Sequence, residues 1–141
     1  MEADARHGEP PLRLAIAVLL VEVMRAEPSI QPGEREAVLA ALRQRFGLDA
    51  EALEQLVSRA QQESRTANDY FAFTSVVNDR FTHAQKIVLV ENMWRIAYAD
   101  GRLDPNENHV ISKVAGLLYV THGEYIAAKL RARERAGPLP S

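Results

Sequence analysis

The sequence predicts an all-α domain, a single bundle of about seven helices, and three observations carry that prediction. Apolar residues recur at three- and four-residue spacings along most of the chain, which lines them up on one face of a helix. Capping signals of the form Thr/Asp-x-x-Gln/Glu interrupt the pattern at Thr82–Gln85, Asp104–Glu107 and Thr121–Glu124. No stretch alternates apolar and polar residues over the length of a strand, and no Asn-Gly pair marks a hairpin.

In chain order, residues 1–9 are polar and aperiodic and are expected to form a disordered tail. Pro10 and Pro11 suit the start of a helix, where an N–H would lack an intrahelical partner anyway. From Leu12, the residues Ile16, Leu19, Leu20 and Val23 share a face, so the first helix runs to about Ala26 and Pro28 ends it. Pro32 and Glu34 open a second helix with Leu39, Leu42 and Phe46 inward, and Gly47 stops it. Asp49 caps a third, striped by Leu53, Leu56, Val57 and Ala60 and fading from Gln61 to Ser64. The fourth starts at Ala67 or Asn68 and turns Tyr70, Phe73 and Val77 inward.

Thr82 opens the fifth helix, with Ile87, Val90, Trp94 and Ala97 on one face and Leu89, Met93 and Ile96 on the next. So wide an apolar arc predicts a helix touched on several sides, at the centre of the bundle. The sixth runs from Pro105 to Leu118 with Val110, Val114, Leu117 and Leu118 inward, and the seventh from Thr121 to about Arg133. One domain over residues 10–135 follows, with residues 136–141 as a second disordered tail. Trp94, Tyr98 and Tyr119 read as core aromatics. Glu22, set in the apolar run of the first helix, has to face solvent or pair with a base such as Arg95.

A chain of 141 residues can bury one sizeable core. With 47% hydrophobic and 26% charged residues and a net charge of -2, the composition is that of an ordinary globular domain and gives no global field to attract nucleic acid. The absence of cysteine excludes disulfides, thiolate nucleophiles and soft-metal sites. The apolar run Leu14–Val23 falls short of the ~20 residues that span a bilayer and has no basic segment before it, so a cytoplasmic location is expected.

The most informative stretch is Trp94 to Glu107, W-R-I-A-Y-A-D-G-R-L-D-P-N-E. Gly101 can stop one helix in the left-handed region, and Asp104-Pro105-Asn106-Glu107 spells cap, first-turn proline and capping-box acid for the next. Asp100, Asp104 and Glu107 are hard oxygen donors of the kind Ca²⁺ or Mg²⁺ takes, and a link between helices lets them converge. Three carboxylates are too few alone, so backbone carbonyls, waters or Glu22, Glu27 and Glu34 would have to add donors. Capping explains Asp104 and Glu107 without a metal. It does not explain Asp100, an anion at the negative end of a helix dipole. An EF-hand is excluded, because counting from Asp100 puts Arg102 at position 3 and Ile111 at position 12.

A shift of 73 residues lays Ala26–Glu34 on Ala99–Glu107 with Ala, Pro and Glu identical, which predicts a duplicated helix-link-helix unit whose acidic links lie near each other. The histidines suggest no zinc centre: His83 and His122 sit in capping boxes, His109 stands alone, and no two are spaced i, i+4. No Gly-x-Ser-x-Gly turn presents a nucleophile. Lys129, Arg131, Arg133 and Arg135 make the last helix basic, which suits a helix C-terminus, with an anionic membrane or acidic partner as the alternative.

The run A-D-G-x-L-D-P-x-E after a long amphipathic helix resembles the motif of the tellurite-resistance protein TerB family. L-L-V-E-V at Leu19–Val23, F-T-S-V-V-N-D-R-F at Phe73–Phe81 and L-L-Y-V at Leu117–Val120 extend the resemblance over Leu12 to Arg133. It implies a helical bundle without enzymatic activity, a stress-response role tied to tellurite resistance, and docking on partner proteins in membrane-associated complexes. It also implies a divalent cation, carried over here to Asp100, Asp104 and Glu107. The first link departs from the motif, with Glu27-Pro28 where acid-Gly is usual and Gln31 where an acid is usual. The competing expectations are a purely structural interaction or homodimerisation domain with no metal site, and a hydrolase whose carboxylates bridge two ions about 4 Å apart.

Overall fold

Local signals set most of the helix ends. The computed structural model describes residues 9–26, 32–66, 70–99 and 103–135. These are all-helical, without a strand: α1 (Glu9–Arg25), α2 (Pro32–Phe46), α3 (Ala50–Thr66), α4 (Phe71–Arg80), α5 (His83–Ala97), α6 (Pro105–Leu117) and α7 (His122–Arg135). The helix α1 starts at Glu9, with Pro10 and Pro11 in a first turn whose N–H groups are unpaired in any case. Asp49 Oδ1 accepts the Ala52 N–H at 2.8 Å and caps α3. Thr82 with Gln85, and Thr121 with Glu124, close the expected reciprocal boxes. The Thr121 backbone N–H, and after it the His83 ring, hold the Glu124 carboxyl below its ordinary range. His83 Nε2 lies 2.9 Å from that carboxylate and so ties the start of α5 to the start of α7. The expected tails over residues 1–8 and 136–141, and the expected start of α4 at Ala67 or Asn68, lie outside the described residues.

Gly47 ends α2 with φ 64°, its N–H reaching the Arg43 carbonyl at 2.7 Å. A Cβ added there would meet nothing within 4 Å, so its penalty would come from the backbone conformation alone. Gly47→Ala is therefore expected to cost about 1 kcal/mol in urea unfolding, less than a clash would. Tyr119 adopts the same left-handed conformation, φ 62°, after α6. Its N–H bonds to the Gly116 carbonyl and that of Val120 to the Ala115 carbonyl, a Schellman ending with tyrosine in the usual glycine position. This corrects its expected role as a core aromatic: held at the turn, the side chain is 71% exposed, with the Lys86 ammonium over its ring.

The centre of the bundle is α1, not the expected α5. From Ala15 to Met24 every residue except Glu22 is at most 3% exposed, and α1 packs against α2, α3, α4, α5 and α6. Between Arg13 and Arg25 it carries one charged side chain, and a helix apolar all round is stable only when surrounded. The helix α5 lies beside it with Trp94 fully buried as expected, packed also on α2, α6 and α7. In α2 the buried stripe is Glu34, Val38, Ala41 and Leu42, while Leu39 and Phe46 are only half-buried. Glu22 neither faces open solvent nor meets Arg95. Its Oε1 accepts the Ser64 hydroxyl at 2.8 Å, and Arg25 donates to the same hydroxyl at 2.6 Å. Ser64 is itself buried, which explains why α3 runs past its expected fade to Thr66.

Candidate functional site

The second link closes on α6 as its sequence demands. Asp104 is the N-cap, its Oδ1 accepting the Asn106 N–H at 2.8 Å, and Glu107 Oε1 accepts the Asp104 N–H at 3.0 Å. Pro105 takes the first helical position. Glu107 is fully buried, and so is Glu34, the third residue of α2 as Glu107 is the third of α6. A carboxylate is costly to bury, and the first turn of a helix, with its free N–H groups and positive dipole end, is a place that offsets the cost.

The start of α2 also lies against the end of α5. A Cβ added to Gly33 would sit 3.3 Å from the Ala99 carbonyl oxygen, so the approach leaves almost no room for a side chain there. This sets the residue before Glu34 beside the last residue described before the second link.

Of the expected cation ligands, Asp100 and Glu27 lie outside the described residues. Glu22 is engaged by Ser64. Among the described residues no three of His, Cys, Asp and Glu gather as a metal-holding group. The donors are of the right chemistry for Ca²⁺ or Mg²⁺, hard carboxylate oxygens. Asp104 and Glu107 nevertheless each give an oxygen to a backbone N–H, so the described acids fall short of the six to eight oxygens that calcium takes.

Several other titratable groups tie helices together. His122 stacks on Tyr125 with ring centroids 6.0 Å apart. Arg131 Nε donates to Glu91 Oε1 at 2.7 Å, and Lys129 lies over the Trp94 ring at 5.1 Å, so part of the basic end of α7 is spent on α5. The Tyr125 hydroxyl donates to Asn108 Oδ1 at 3.1 Å. Sequence reasoning missed the Glu22–Ser64–Arg25 cluster, because Ser64 stands some forty positions from the other two and shares no local motif with them.

These features define a class: a helical bundle wrapped on an apolar first helix, with two proline-opened helices that each bury a glutamate at their third residue. The model of the family described as Tellurite resistance protein TerB matches residues 13–130, and the chain belongs to that family. No curated protein and no solved structure matches it. Among the described residues no helix is long and apolar enough to cross a membrane.

Proposed function

We propose that this chain is a non-enzymatic, tellurite-resistance-related stress-response module of the cytoplasm that binds a divalent cation at its interhelical links and docks on partner proteins. The observation that carries the reading is the matched burial of Glu34 and Glu107 at the third residue of α2 and α6, with the start of α2 pressed on the end of α5. A duplicated helix-link-helix unit accounts for that match, since the 73-residue shift superposes the two glutamates and their prolines. Asp100, Asp104 and Glu107 would hold Ca²⁺ or Mg²⁺, with Glu27 and Glu34 as further donors. Glu22 is the weaker candidate, being already bonded to Ser64. Family membership supports the docking half, toward proteins of membrane-associated complexes.

The purely structural alternative, an interaction or homodimerisation domain with no metal, draws on the completed capping box, which gives Asp104 and Glu107 a role without any ion. Thermal melts separate the two. A cation bound only by the folded state adds RT ln(1 + [L]/Kd), about 2.7 kcal/mol at a hundredfold excess over Kd. Wild type is expected to melt higher in millimolar Ca²⁺ or Mg²⁺ than in chelator, and Asp100→Asn to lose that rise while melting normally in chelator. Asp104→Ala should cost about 0.5–2 kcal/mol even in chelator, through the lost cap. A wild-type melting temperature indifferent to both ions leaves the structural alternative.

A further inference from the structure

Where α2 and α5 run antiparallel, the surface opens into a trough. Two adjoining cavities of about 250 and 220 Å³ share Ala41 and Asn92. One extends toward Ala37 and Ala99, the other toward Arg45 and Phe81. The trough thus follows α5 from Ala84 to the residues just past its end, about 22 Å at the rise of an α-helix. The half toward Phe81 has an apolar floor, formed by Ile16 and Leu20 of α1 and Leu89 of α5, while the half toward Ala99 sets alanines beside Gln44, Asn92 and Tyr98. Ala37, Ala40 and Ala84 wall the trough with side chains small enough to let another backbone come close. Val88 stands on its edge 57% exposed, a large apolar residue with no cover among the described residues.

The ionised side chains lining the two cavities are Arg95 in one and Arg45 in the other. Neither meets a carboxylate within ion-pair distance among the described residues; Arg45 lies instead over the Phe46 and Phe81 rings, at 5.6 and 5.0 Å. In a chain of net charge -2 this face is locally cationic. A trough about four turns long, apolar along one half and walled largely by alanines along the other, accepts one face of an amphipathic helix, and a guanidinium in each half calls for carboxylates on that helix.

We propose that the trough between α2 and α5 is the docking surface for an acidic amphipathic helix of a partner protein. The two arginines belong to opposite halves of the trough, so the partner's carboxylates fall about two to three turns apart, roughly 7–11 residues. The inference rests on the docking half of the proposed function and not on its cation half.

The test uses the full chain and two labelled peptides of about 16 residues, with leucines at three- and four-residue spacing and either glutamates or lysines on the flanks. The glutamate peptide is expected to bind wild type, in chelator as well as in Ca²⁺, and the lysine peptide to bind far more weakly. Arg45→Glu combined with Arg95→Glu should weaken the glutamate peptide about tenfold and strengthen the lysine peptide. Ala40→Trp, which fills the trough without changing charge, should abolish binding of both. Thermal melts check that each variant is folded, and the arginine pair keeps the test decisive if the tryptophan variant is not.

Unchanged glutamate-peptide binding by the arginine pair and the filled variant overturns the inference alone and puts the docking surface elsewhere. A monomeric chain that binds neither peptide at about 1 mM overturns the inference together with the docking half of the function. A wild-type dimer in sedimentation that Ala40→Trp converts to monomer assigns the trough to a second copy of this chain, and overturns the acidic partner.

Discussion

Val21→Asp is expected to destabilise the fold by about 3–5 kcal/mol at pH 7, a large share of the stability of a domain this size. Val21 is fully buried on α1, which is surrounded by five other helices, so the introduced carboxylate would lie among apolar side chains without a designed partner. Val21 lies off the stripe Leu12, Ile16, Leu19, Leu20 and Val23, and on an open face of the helix the same substitution would change stability by no more than about 0.5 kcal/mol. Urea unfolding followed by circular dichroism decides between the two. Its pH dependence adds a second check. Burial raises the folded-state pKa of the introduced carboxyl above its unfolded value, so the deficit is full above the folded pKa and shrinks as pH falls through it. A deficit that stays constant between pH 7 and pH 4 would mean that the side chain reaches solvent, and α1 would then not be the centre.

Trp94→Ala is expected to cost about 3–5 kcal/mol, the loss of a large buried side chain plus the cavity left behind. The indole is fully buried between Tyr98, at 6.1 Å between ring centroids, and Tyr125, at 5.2 Å, with Lys129 over its face. Trp94→Phe is expected to cost clearly less. The indole N–H is buried with no hydrogen-bond acceptor among the described residues, so wild type already carries a desolvation cost of about 1–3 kcal/mol that phenylalanine lacks. Equal losses for the two variants in chemical denaturation would show that the N–H is satisfied.

Elements governed by a few neighbouring residues were legible from the chain. The box at Thr82–Gln85, the cap at Asp104, the stop at Gly47 and the burial of Trp94 are each set by backbone N–H groups, steric limits on φ, or a helix-length apolar face. Tyr119 escaped because its left-handed turn lacks the glycine that would have announced it. Within the candidate site, the roles of Asp104 and Glu107 as cap and box were readable. The complete burial of Glu34 and Glu107 was not, because burial depends on which helices close over a first turn.

By itself, then, the sequence determined the helical class, the order and approximate ends of the helices, and the family, since hydrogen bonding within a turn and apolar periodicity act over four or five residues. Only the tertiary structure decided that α1 rather than α5 is enclosed, that Glu22 meets Ser64, that the start of α2 abuts Ala99, and that α2 and α5 leave a cationic trough between them. Those outcomes depend on how whole helices pack. An apolar face does not name the helix that will cover it, and residues far apart in the chain are brought together by the packing of all the described helices at once.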